Sequence, residues 1–126
     1  MMWFLRKGRK PLGRRGENAA AKHLRRLGYR ILERNARFGR CEIDIIAQEG
    51  DTIAFVEVKT RSSDAFLAPE KSITVRKRAH IRQAAQEYIR KRDDPTRYYR
   101  FDVVSVVIPD QSAPVVTLRR DAFPNE

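Results

Sequence analysis

Two runs of alternating apolar and charged residues, joined by a turn signal, organise the chain. Over residues 41–61 the sequence reads C-E-I-D-I-I-A-Q-E-G-D-T-I-A-F-V-E-V-K-T-R. Ile43, Ile45 and Ile46 before the turn, and Ile53, Phe55, Val56 and Val58 after it, supply β-branched and aromatic content. Glu49-Gly50-Asp51 between them predicts a tight hairpin. Strand residues two apart share a face, so Glu42 and Asp44 are expected to point one way, and Glu57 and Lys59 likewise. Ile45-Ile46 and Phe55-Val56 are apolar on both faces, which predicts that the hairpin is covered on both sides.

A first helix is expected over 14–27, where Ala20, Ala21, Leu24 and Leu27 form an inward stripe. Gly28 follows as a helix-ending glycine, and Arg25-Arg26 suit the negative end of the dipole. Glu17 shares the inward stripe; its plain role is to complement the dipole, and its direction also suits a site. Residues 29–37 read as a strand, and 38–40 as a short connection into the hairpin. Residues 62–70 lack periodicity and are read as a mobile loop beside the carboxylates.

A second helix is expected over 75–92, with Ile81, Ala84, Ala85, Tyr88 and Ile89 inward and Lys77 near that face. Asp93-Asp94-Pro95 ends it. Residues 98–108 form a strongly β-prone inner strand, 109–112 a turn, and 115–118 a last short strand. The order α-β-β-β-α-β-β has no repeat and no heptads. It predicts one α/β (α+β) domain over 13–119, with a central mixed sheet flanked by helices. A basic flexible arm (1–12) precedes it and a tail (120–126) follows.

Composition narrows the partner. The chain has 126 residues, 41% hydrophobic, with 27 Lys plus Arg against 16 Asp plus Glu, a formal charge of +11. That imbalance is a footprint for a polyanion, and nucleic acid is the first candidate. Arg76, Lys77, Arg78 and Arg82 on the second helix have few acids beside them, which favours a phosphate-facing surface over an ion-paired one. Cys41 is the single cysteine, so neither an internal disulfide nor a cysteine zinc site is expected. The apolar run 1–5 is too short for a signal-peptide core or a membrane span, and a cytoplasmic protein without membrane contact is expected.

Charged groups inside the most apolar segment call for an explanation, because buried charges are costly unless paired or metal-bound. One reading is the wet face of an ordinary hairpin. The other is a hydrolytic metal site. Mg²⁺ or Mn²⁺ takes hard oxygen ligands, commonly one or two carboxylates plus water and phosphate. Asp44, Glu57 and the main-chain carbonyl of Val58 are placed to supply them. Lys59 would orient a water or neutralise the transition state, with Glu17 completing the shell. Arg61 continues that face toward phosphate. Asp102, inside an apolar strand, is expected to pair with an arginine. The motifs of P-loop NTPases, serine hydrolases and dinucleotide-binding folds are missing.

A helix glutamate, then an aspartate, then E-x-K resembles the PD-(D/E)XK nuclease superfamily, which includes restriction endonucleases and Holliday-junction resolvases. The chain is more closely similar to the YraN-like family of uncharacterised bacterial proteins. Five ordered blocks carry this: G-E-N-A-A at 16–20, G-Y-R-I-L-E-R-N-A-R at 28–37, E-I-D-I-I-A at 42–47, F-V-E-V-K-T-R at 55–61 and R-F-D-V-V at 100–104. Cys41 stands where that family usually has glycine, and Ile43 where the superfamily's name has proline. The resemblance implies a restriction-endonuclease-like fold and a metal-dependent endonuclease with Glu17, Asp44, Glu57 and Lys59 as catalytic residues. It also implies DNA more than RNA as substrate, including branched DNA, for which two cuts would require a homodimer. The alternative is a non-catalytic nucleic-acid-binding protein that keeps the fold.

Overall fold

The computed structural model describes residues 2–62, 73–109 and 113–125. Its elements follow the expected order: α1 (Met2–Arg26), β1 (Arg30–Phe38), β2 (Cys41–Glu49), β3 (Thr52–Arg61), α2 (Val75–Arg92), β4 (Tyr98–Val107) and β5 (Val115–Phe123). One five-stranded sheet runs in the order β1-β2-β3-β4-β5. β3 and β4 pair in parallel from Thr52↔Tyr98 to Arg61↔Val107, and the other neighbours are antiparallel. The parallel pair needs a crossover, and α2 lies within it.

Both faces of the sheet are buried. Ala20, Ala21 and Leu24 of α1 meet Ile45, Ala47, Ala54, Val56, Val104 and Val106 on one face. Ile81, Ala84, Ala85 and Tyr88 of α2 meet Ile43, Ile46, Ile53, Phe55, Phe101 and Val103 on the other. Phe55 centres this second core, packing edge-on to Tyr88 and stacking with Tyr99. This two-sided cover explains the doubled apolar pairs Ile45-Ile46 and Phe55-Val56.

Two boundaries and one facing pattern differ from expectation. α1 begins at Met2, through the segment 2–12 that Gly8 and Pro11 mark as an arm. Proline's fixed φ is itself helical, so Pro11 weakens a helix without necessarily ending it. β5 continues to Phe123, past the expected end at 118, through Arg119-Arg120-Asp121. Phe123 is buried and stacks on Phe101 at 4.8 Å, so a terminal aromatic anchors a polar stretch into the sheet. The simple alternation along β2 also fails: Ile43 joins the α2-side core and Ile45 the α1-side core. The break falls at Asp44. On β1, Asn35 lies between the residues paired with Ile43 and Ile45, and it adopts a left-handed conformation at φ 54. Asparagine tolerates that region better than most residues. The stretch 63–70, read as a loop, and most of the turn at 109–112 lie outside the described residues.

Candidate metal and phosphodiester site

The candidate site forms where β2 and β3 stop pairing. Their ladder runs from Glu49↔Thr52 to Ile45↔Val56. Beyond it β3 is carried by β4 alone, through Arg61↔Val107. Asp44 occupies the resulting notch, and its Oδ2 accepts the Val58 N–H at 2.8 Å. The carboxylate therefore reaches along the sheet to β3, and Glu42, like Asp44, lies near enough to add to the negative charge that Glu17 feels.

Glu57 sits beside it and is 8% exposed. Oε1 of Glu57 is buried and accepts no hydrogen bond among the described residues, while Oε2 faces Lys77 Nζ at 3.6 Å. Burial pushes the Glu57 carboxyl up to about 8, the Asp44 carboxylate pushes in the same direction, and Lys77 opposes both. Glu17 arrives from α1. Its carboxyl is also raised, by burial first and then by the Asp44 charge, against a hydrogen bond from Asn35 and the charge of Arg34. Arg34 lies 3.9 Å from Glu17 Oε1. Asp44 is thus the hub through which the two other acids feel negative charge.

What lets α1 come this close is Gly16. A Cβ built there would stand 1.9 Å from Thr60 Oγ1 and 2.6 Å from Thr60 Cγ2. Only a residue without a side chain fits, so helix and strand meet backbone to side chain one residue from Glu17.

Lys59 lies one pleat beyond Glu57 and is exposed. Arg61 follows, half-buried, with no partner for its Nε among the described residues. Arg76 and Arg78 sit in the first turns of α2; Arg76 is exposed, and the buried Nε of Arg78 likewise has no partner among the described residues. Arg82 is engaged elsewhere: it donates to the Pro124 carbonyl at 2.8 Å and lies over the Phe123 ring.

Lys77 was expected at a phosphate-facing surface, and its contact with Glu57 was not foreseen. Thr74 caps α2 there, accepting the Lys77 N–H at its hydroxyl. No local sequence signal marks the pairing of Lys77 with Glu57, because it joins a helix to a strand distant in sequence. Three basic residues, Arg76, Lys77 and Arg78, open α2 with no acid in its first turn. Cations there oppose the helix dipole. Glu57 offsets that cost at Lys77.

A separate polar cluster fills the α1 side of the sheet. Asp102, fully buried, accepts from the Tyr29 hydroxyl at 2.8 Å, from Arg100 Nε at 2.9 Å and from the Asp121 N–H at 2.9 Å. Arg100 also reaches Glu49, which Arg120 grips with two hydrogen bonds. These arginines hold the Glu49 carboxyl down at about 2. The expected arginine partner of Asp102 is Arg100. Tyr29 and Glu49 meet Asp102 and Arg100 through long-range contacts that sequence does not reveal, and Arg120 joins them because β5 extends past 118.

In chemical terms the notch gathers hard oxygen donors inside a protein of charge +11. Among the described residues no group of three His, Cys, Asp or Glu forms a metal cage. A cation held here would use the two carboxylates with main-chain, water or substrate oxygens, the coordination Mg²⁺ favours.

The profile of uncharacterised protein family UPF0102 matches residues 16–106. A UPF0102 protein of Chlorobaculum parvum is 51% identical over 96 residues, covering 76% of this chain and 74% of that protein. One from Caldicellulosiruptor saccharolyticus is 45% identical over 98 residues, covering 78% and 83%. One from Solibacter usitatus is 42% identical over 113 residues, covering 88% and 84%. The matched span holds Glu17, Asp44, Glu57, Lys59 and Lys77. No helix among the described residues is long and apolar enough to cross a membrane.

Proposed function

We propose that this chain, which belongs to the uncharacterised protein family UPF0102, is a divalent-metal-dependent endonuclease that hydrolyses phosphodiester bonds in DNA. The observation that carries the reading is the buried Asp44–Glu57 carboxyl pair: Glu57 Oε1 accepts no hydrogen bond among the described residues, and the proton that burial and the Asp44 carboxylate hold on Glu57 is what lets the two acids sit together. Ionising both without a cation would set two negative charges side by side in a buried notch. A hard cation would take the place of that proton and satisfy both carboxylates, so the donor set fits Mg²⁺ or Mn²⁺.

When bound, the cation polarises phosphate oxygens and lowers the pKa of a coordinated water. The chain's own groups do the rest. Asp44, fixed by the Val58 N–H, presents its carboxylate from a rigid strand. Glu57 would hold the cation as a carboxylate, with its proton released to solvent and Lys77 stabilising the charge that remains. Lys59, exposed one pleat along, orients the attacking water and neutralises charge growing on the phosphate. Glu17 holds a further water from the α1 side. Arg61, Arg76 and Arg78 dock flanking phosphates, a contact that positions a strand without reading its sequence.

Cleavage of labelled linear, flapped and four-way-junction DNA with Mg²⁺, Mn²⁺ or EDTA tests this reading. Metal-dependent cutting that disappears in an identically purified Asp44→Ala protein supports it. Salt-dependent binding without cutting by wild type would return the protein to the class of non-catalytic binders.

A further inference from the structure

A second site lies away from the carboxylates, in a groove of about 390 Å³ between β1 and the C-terminal end of α2. Glu33, Arg37, Phe38, Tyr88, Lys91 and Arg92 line it. Its aromatic wall is fixed: Phe38 and Tyr88 pack edge-on at 6.2 Å, and Tyr88 leans in turn on Phe55. Arg92 donates to the Tyr88 hydroxyl at 3.0 Å and lies over its ring. Arg37 and Lys91 are largely exposed, each within 4 Å of a carboxylate, Glu42 and Glu87 respectively. Such surface pairs hold little energy and exchange readily for phosphate.

We propose that this groove takes one unpaired nucleotide of the nucleic acid. The base would lie against the half-buried Phe38 ring, which the buried Tyr88 supports edge-on from behind, and Arg37, Lys91 and Arg92 would meet its phosphates. Aromatic rings bearing bases, with flanking cations on the backbone, are how proteins hold single strands. A duplex hides its base faces in the stack, so a concave aromatic groove of this size selects an unstacked nucleotide. Glu33, the one acid in the lining, can accept from a base amino group. Arg37 ties the groove's rim to the strand that carries Asp44, through its ion pair with Glu42. Tyr88 lies eleven residues beyond Lys77 on α2, about 16 Å along the helix from the contact with Glu57. A strand that leaves a duplex at Asp44 and continues along α2 is therefore the occupant the placement favours. The inference rests on the nuclease reading only for what that strand does next.

The test is fluorescence anisotropy in EDTA with a duplex that carries a short unpaired flap, made either with bases or with abasic sugars. Wild type should bind the base-bearing flap about tenfold more tightly than the abasic one. Phe38→Leu, checked for folding by its melting curve, should remove most of that preference and change affinity for blunt duplex less than about twofold. Lys91→Ala should lower the salt slope by about one. Equal affinity of wild type for the two flaps would overturn the proposal, and that comparison needs no variant. Because cleavage plays no part in it, the subsite and the nuclease reading fail separately. Base preference without metal-dependent cutting would keep the groove and sink the nuclease; cutting without base preference would do the reverse.

Discussion

Asp44 Oδ2 takes the Val58 amide hydrogen at 2.8 Å, the place a β2 main-chain carbonyl would fill if the ladder continued. A side chain thus stands in for backbone where the sheet opens. Asn can make the same contact through its carbonyl oxygen, without the charge. Asp44→Asn should therefore melt close to wild type yet lose metal-dependent cleavage. Asp44→Ala should lose cleavage and also about 1–3 kcal/mol of stability, since the Val58 N–H is left unpaired. Paired melting curves and cleavage assays separate the two effects.

Glu57 sets a pH dependence of definite sign. Its carboxyl rises from an ordinary value of 4.5 to about 8 in the folded protein. Between those values the folded state binds more protons than the unfolded one, so stability falls as pH rises. The contribution is complete below about pH 4.5 and gone above about pH 8. Glu57→Gln should flatten this decline. Thermal melts from pH 5 to 8.5 without metal would show it, and equal slopes for both proteins would contradict the assignment.

Much of this site is legible in sequence because strand chemistry is local. Ile43, Ile45, Phe55 and Val56 mark two paired strands, and Asp44, Glu57 and Lys59 are conspicuous among them. The notch itself is not legible, since whether Asp44 faces outward or lies along the sheet depends on where β2 and β3 part. Lys77 reaches Glu57 only through the β3–α2–β4 crossover and the Thr74 cap. Arg119-Arg120-Asp121 reads as a polar tail until Phe123 is seen stacked on Phe101. Long-range pairing decides each of these cases, and local propensity is silent about it.

Gly16 is a positioning residue for Glu17. A methyl group there collides with Thr60 Oγ1 at 1.9 Å, so Gly16→Ala must push α1 off β3. A loss of about 1–3 kcal/mol is expected, with a larger fall in cleavage than in stability as Glu17 withdraws. Thr60→Ala in the same chain removes the two closest contacts and should restore part of both losses. Additive effects in the double-mutant cycle would show that the two sites do not communicate.

The Asp102 cluster should affect folding and leave the chemistry alone. Asp102 lies on the α1 side of the sheet, under Tyr29 and opposite to Glu57. Asp102→Ala leaves the Tyr29 hydroxyl hydrogen and the Asp121 N–H without their acceptor and takes one of the two carboxylate partners of Arg100, and should cost about 3–5 kcal/mol. Glu49, held at about 2 by Arg120 and Arg100, contributes stability present above about pH 4.5 and lost as pH falls toward 2. Acid melts of Glu49→Gln should show a weaker loss on that limb.

The central claim is that Asp44 and Glu57 together hold a divalent cation, and calorimetric titration of Mn²⁺ near pH 7 measures it most directly. Run in buffers of different ionisation enthalpy, the titration also counts protons. One cation should bind with release of about one proton, because Glu57 is largely protonated at that pH and must ionise to bind. Proton release should vanish in Glu57→Gln, and affinity should collapse in Asp44→Asn. Absence of binding, or binding that both variants retain unchanged, would contradict the account.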